Sequence, residues 1–134
     1  MGSTTSSRKK TKKLRHYVSW FEIPALNLPR AVAFYNHIYG IEMDTTETGG
    51  YAMALFPADN GIGGAIVVGE GSIPSETGTL VYLNGGKDLA PVLGRVEEAG
   101  GRIILEKTLI SKEDGYFALF IDTEGNKLAL HSDK

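Results

Sequence analysis

The sequence predicts an α+β fold, two tandem βαβββ modules whose mixed sheets curve into one shared cup. Three observations predict it. Short β-prone runs and one helical run follow each other as strand, helix and three strands, and that order occurs twice. The second copy echoes the first residue by residue: Met53-Ala54-Leu55-Phe56-Pro57-Ala58-Asp59-Asn60-Gly61 aligns with Phe117-Ala118-Leu119-Phe120-Ile121-Asp122-Thr123-Glu124-Gly125. Glycine pairs fall where turns are needed, at Gly49-Gly50 and Gly100-Gly101. One copy alone would leave a sheet face bare, whereas two copies side by side can bury their layers and leave a concave surface between them.

The elements follow in order. Tyr17 to Pro24 reads as a strand, with β-prone Val18, Trp20, Phe21 and Ile23. Asn27 offers a helix cap, and Pro29 sits in the first turn, where its missing N–H costs nothing. Ala31, Val32, Phe34, Tyr35 and Ile38 carry the apolar stripe, and Gly40 stops the helix. Ile41–Glu47, Tyr51–Phe56 and Gly64–Val68 are the next three strands, with Asn60-Gly61 a further turn. A Gly/Ser/Pro-rich loop carrying Ser72, Ser75 and Thr77 leads to the second copy, either covering the cup mouth or only linking the halves. There, Thr79–Asn84 is a strand and Asp88 or a neighbour caps a helix. That helix presents Leu89, Val92, Leu93 and Val96 on one face. Arg102–Lys107, Tyr116–Asp122 and Lys127–His131 complete the set.

Composition excludes several classes. The 134 residues contain no cysteine, so disulfides, thiolate zinc sites and a thiol nucleophile are absent. Apolar residues make up 42% and no run approaches the roughly 18 that a membrane span needs. No apolar stretch follows the basic start, so the expected location is cytoplasmic. Charge is uneven. Six of the 14 basic residues (Arg8, Lys9, Lys10, Lys12, Lys13, Arg15) lie in the first 15 positions, leaving eight against 16 acids in the rest. Residues 1–15 therefore read as a basic disordered tail and 16–134 as the folded domain, with modules at about 16–70 and 78–132. An acidic body repels polyanions, so neither nucleic acid nor a membrane is the expected partner.

The segment Phe21-Glu22-Ile23-Pro24, then Leu28-Pro29-Arg30-Ala31-Val32-Ala33-Phe34-Tyr35 and Tyr39-Gly40, resembles the vicinal oxygen chelate superfamily. That group includes glyoxalase I, extradiol dioxygenases, fosfomycin-resistance enzymes and bleomycin-binding proteins. Asp122-Thr123-Glu124-Gly125-Asn126-Lys127-Leu128 is similar to its Asp-Pro-x-Gly-Asn stretch, and the resemblance covers about residues 16 to 132. It implies the glyoxalase/bleomycin-resistance-like fold and a homodimer. In metal-dependent members, four His, Gln or Glu ligands come from the first and last strand of each module. The matching positions here hold Trp20, Ala65, Leu80 and Ala129, none of which ligates a hard or borderline cation. Neither metal nor cofactor is expected.

Two residues along each strand, on the same face, stand Glu22, Val67, Tyr82 and His131. With Trp20 as a stacking floor they form the candidate ligand-binding set. Glu22 and His131 are expected to pair at the base of the cup, where a carboxylate can orient an imidazole for general acid–base work. The alternative is a satisfied pair inside the sheet. Asn60-Gly61-Ile62-Gly63-Gly64 has no following βα turn, so it is not a nucleotide loop. His16 and His37 read as surface residues. The leading expectation is a metal-independent small-molecule binding protein. The alternatives are a glyoxalase-like lyase or isomerase using Glu22 and His131, and a vestigial or regulatory dimeric module.

Overall fold

Each half of the chain folds into its own four-stranded mixed sheet. The computed structural model describes residues 10–134; the expected tail lies outside the described residues up to position 9, and residues 10–19 run as exposed coil. The first module comprises β1 (Trp20–Pro24), α1 (Leu28–Tyr39), β2 (Asp44–Thr48), β3 (Tyr51–Leu55) and β4 (Gly63–Val68). The second comprises β5 (Tyr82–Asn84), α2 (Ala90–Gly94), β6 (Arg102–Ser111), β7 (Gly115–Ile121) and β8 (Lys127–Ser132). The sheet orders are β1-β4-β3-β2 and β5-β8-β7-β6, the same topology twice. In each, the first strand runs parallel to the last and the other pairs are antiparallel. The repeat read from the sequence is present in the register: Glu22 pairs with Ala65 as Tyr82 pairs with Ala129. The two sheets do not merge into one; β1 and β5 remain edge strands.

Several boundaries differ from expectation, each for a local reason. The first strand starts at Trp20 rather than Tyr17, because Trp20 is the first residue with a partner, Gly63. Residues 41–43 stay off the ladder because the helix holds them: Asn36 accepts Ile41 N through its carbonyl and Met43 N through its side chain. The strand expected from Thr79 is reduced to Tyr82–Asn84. The second helix is short. The cap falls on Leu89, the neighbour of Asp88, whose carboxylate accepts Ala90 N at 2.9 Å; Gly94 lies inside, and beyond it the bonds tighten to Arg95 N→Val92 O and Val96 N→Leu93 O. Leu89, Leu93 and Val96 are still buried. β6 runs four residues past Lys107 and turns at Gly115, whose φ of +81° favours glycine.

α1 matches the sequence reading in detail. The Asn27 side chain accepts Arg30 N at 3.0 Å, and Gly40 closes the helix in the left-handed region. Its buried face, Ala31, Phe34, Tyr35 and Ile38, packs into a core shared by both modules. Phe34 stands edge-on to Tyr35 at 4.8 Å and lies 6.0 Å from Phe120 of the other module. Gly101 permits this, since a Cβ there would fall 2.7 Å from the Phe34 ring.

The modules are also joined by a polar network around the last turn. Glu124, with no exposed side-chain surface, accepts Leu26 N, Asn27 N and the Arg30 guanidinium at 2.7–3.0 Å. Tyr35 Oη donates to Asp122 at 2.7 Å, and Asn126 Nδ2 donates to Pro24 O at the same distance. Burial alone would push Glu124 up, but the hydrogen bonds from Arg30, Asn27, Leu26 and Thr123 outweigh it and hold the carboxyl at about 2. Burial, then the adjacent Asp122 charge, pushes the Tyr35 phenol well above its ordinary range.

Candidate functional site

The edges of β1 and β5 face a common cleft of about 1120 Å³, walled by both modules and by the loop that links them. Trp20 and Glu22 reach it from β1, and Leu80 and Tyr82 from the β5 side. Two rings are left open to solvent there, Trp20 at 47% and Tyr82 at 52% exposure.

The Trp20 ring is held in place from below. It lies across Gly63, its register partner, where a Cβ would come within 3.2 Å of the indole. Its Nε1 donates to Glu22 Oε2 at 3.3 Å. On the opposite face of β1, Phe21 lies over Gly64, where a Cβ would come within 2.4 Å of the ring. The Gly63-Gly64 pair thus makes room for two aromatic rings, one on each side of the sheet. Phe21 continues into an aromatic stack with Phe56 at 5.4 Å, which in turn meets Tyr35 at 5.5 Å. The indole therefore rests on the Gly63 backbone and is half-exposed to the cleft.

Of the five side chains expected to converge, Trp20, Glu22 and Tyr82 do so in this cleft. Val67 does not: it pairs with Pro24 and Met53 and is buried. The expected Glu22–His131 pair is not formed. His131 lies on β8, one strand behind β5, in register with Asn84 and Phe117. Its Nε2 is 2.6 Å from Asp114 O, and it lines a separate depression with Asn84, Glu113 and Asp114. Because the sheets remain separate, the β5 strand stands between His131 and β1, so Glu22 turns to Trp20 instead.

Among the described residues, Glu22 is the one carboxylate in the cleft lining; its other polar groups include His16, Lys127, Asn84, Asn126, Ser75, Thr79 and the Tyr39 and Tyr82 hydroxyls. His16 is exposed, as expected, at the border of the cleft, and exposed His37 pairs with Glu98 at 2.7 Å. Of the positions that match the metal ligands of the superfamily, Trp20 and Leu80 line the cleft, while Ala65 and Ala129 are fully buried. These side chains offer no lone pair to a divalent ion, and among the described residues no three His, Asp or Glu side chains gather in a metal-binding arrangement. The donor set does not fit a chelate centre.

Sequence reasoning missed Tyr39, Phe56, Ile62, Ile73 and Asn126 as cleft residues. Ile62 and Ile73 carried a signal, being large apolar residues inside Gly/Ser-rich loops. Asn126 carried none beyond its place in a turn.

No family model and no curated protein matches the chain. Solved structures do. A glyoxalase I variant from Zea mays superposes with a TM-score of 0.63 at 18% identity over 85% of this chain; the chain spans 45% of that protein. A glyoxalase/bleomycin resistance protein/dioxygenase family enzyme from Burkholderia phytofirmans PsJN gives 0.63 at 14% identity, covering 87% of this chain and 98% of that one. TnmS3, an antibiotic binding protein from Streptomyces sp. CB03234, gives 0.61 at 18% identity, covering 92% and 100%. The fold is thus that of the glyoxalase/bleomycin resistance/dioxygenase proteins, the architecture implied by the sequence motifs.

Proposed function

We propose that this protein is a binding member of the vicinal oxygen chelate superfamily that holds a flat, largely apolar small molecule in the cleft between its modules without a metal ion. The observation that carries this reading is the fixed Trp20 ring, backed by Gly63, tethered through Nε1 to Glu22 and half-exposed to the cleft. A rigid aromatic surface that loses no freedom on binding favours a planar ligand. Tyr82 offers a second ring from the other module, and Glu22 Oε1 can accept a hydrogen bond from the ligand. The donor-poor positions Trp20, Ala65, Leu80 and Ala129 support a metal-independent site. The shared fold with an antibiotic binding protein is consistent with sequestration. Glu22 and His131 line different depressions and bond to other partners, which favours binding over acid–base turnover by that pair.

Trp20 is the sole tryptophan, so its fluorescence reports the site directly. Titration with the neutral aromatic probe N-phenyl-1-naphthylamine, whose naphthyl ring is flat, is expected to quench Trp20 saturably, and Tyr82→Ala to weaken that binding by about tenfold. A probe that binds with equal affinity to Tyr82→Ala, or leaves Trp20 unquenched, would count against the cleft as the site.

A further inference from the structure

The cleft is not closed by its own strands. β1 and β5 are unjoined edges, and the linker between modules forms part of the rim. Its shape must be set by whatever ties these pieces together. One side chain touches both the end of β1 and the linker. Asn126, in the last turn of the second module, is itself nearly buried and lines the cleft. Its Nδ2 donates to Pro24 O, the end of β1, at 2.7 Å. Its Oδ1 accepts Ser75 N, in the linker, at 3.1 Å. The neighbouring Lys127 N reinforces this by donating to Ser75 O at 3.2 Å.

Asn126 is held stiffly in turn. Its own N–H and its Nδ2 both donate to Asp122, at 2.9 and 3.0 Å, and its carbonyl accepts Asp122 N. Asp122 also receives the Tyr35 hydroxyl. The amide therefore spends its donors and its acceptor on fixed partners, and only an amide can do so: a carboxylate cannot donate to Pro24 O and would face the Asp122 carboxylate. The Arg30–Glu124 cluster, by contrast, ties helix α1 to the same turn without lining the cleft.

We infer that Asn126 is a positioning residue that sets the width of the ligand cleft, by holding the end of β1 and the linker at Ser75 in one fixed relation. Ile73, two residues before that anchor and 75% exposed, is thereby kept at the rim as an apolar cover. The inference rests on the binding reading above for its purpose, though not for its test.

The absence of cysteine allows a clean distance measurement. Spin labels on Asp59→Cys and Glu76→Cys, exposed positions next to cleft residues Ala58 and Ser75 in the first module and the linker, read the opening by double electron–electron resonance. In the Asn126→Asp background the distribution is expected to broaden with a longer mean. N-phenyl-1-naphthylamine binding is expected to weaken by about tenfold. Arg30→Met, which keeps the Leu26 and Asn27 bonds to Glu124, is expected to lower the melting temperature while leaving the distances and the probe affinity unchanged. If Asn126→Asp does not fold, hydrogen exchange in the natural chain decides: the Ser75 amide is expected to be strongly protected, and exchange at its intrinsic rate would overturn the inference. Unchanged distances in a folded Asn126→Asp protein would overturn it as well. Widening without any probe binding in the natural chain would support the positioning role and sink the binding reading instead.

Discussion

Two adjacent glycines decide the chemistry of the cleft at the residue scale. In the sequence Gly63 and Gly64 belong to a glycine-rich stretch that is not a nucleotide loop, with Gly64 opening a strand. Their purpose is visible only once β1 lies beside β4, because Trp20 and Phe21 belong to a different strand some 40 positions earlier. The two sites have opposite consequences. A Cβ on Gly64 would meet the Phe21 ring at 2.4 Å inside a packed aromatic layer, so Gly64→Ala is expected to destabilise by about 1–3 kcal/mol in urea unfolding. A Cβ on Gly63 would meet the half-exposed indole at 3.2 Å, a contact relieved by a shift of a few tenths of an ångström. Gly63→Ala is therefore expected to change stability by less than about 1 kcal/mol while shifting Trp20 emission and weakening probe binding. The Glu22–His131 pair was legible as a shared face but not as a distance. Period-two alternation gives the face of a side chain and says nothing about how far apart two sheets lie.

At the scale of elements, what the sequence showed well was what local forces determine. The Asn27 cap, the Pro29 entry, the buried stripe of α1 and its Gly40 stop depend on neighbours within one turn. Strand ends depended on partners far away, and there the reading slipped at Tyr17, Ile41, Thr79 and Lys107. The last turn is an element whose role the sequence concealed. Asp122, Glu124 and Asn126 are polar residues at a turn, yet all three are buried as the joint between modules. Glu124 gives this joint an acid limit. Its carboxyl is held down from the usual 4.5 to about 2. Above pH 4.5 the group is charged whether the chain is folded or not, and its contribution is complete. As pH falls towards 2 the unfolded chain takes up the proton first, and about 3 kcal/mol of stability is expected to be lost. Unfolding free energies at pH 7, 4, 3 and 2.5 check this, and Glu124→Ala is expected to flatten the acid limb while destabilising by about 3 kcal/mol at neutral pH.

The whole molecule is a repeat whose two halves share one core. The two sheets share no strand pairing, but their core is single, running from Ile23 and Phe34 through Leu83 and Leu93 to Phe120 and Leu130. Phe34→Ala removes a ring that packs against Phe120 across the module boundary, and is expected to cost about 3–5 kcal/mol. Calorimetry is expected to show one transition that moves as a unit, with no separate melting of residues 78–134. The tandem βαβββ order was plain from the sequence because it is written twice. The gap between β1 and β5 was not, because edge strands and paired strands carry the same alternation.

The claim that the β1–β5 cleft is a ligand site built on Trp20 is tested most directly by nitrogen-correlated NMR of the natural chain. One tryptophan gives one indole N–H signal, the same N–H that reaches Glu22. On titration with N-phenyl-1-naphthylamine, that signal and the amides of Glu22, Ile73 and Tyr82 are expected to shift together with a single Kd, while Phe117 and Asp114 stay in place. Shifts at Asp114, His131 and Phe117 with a silent Trp20 indole would contradict it, and would move the site to the depression around His131.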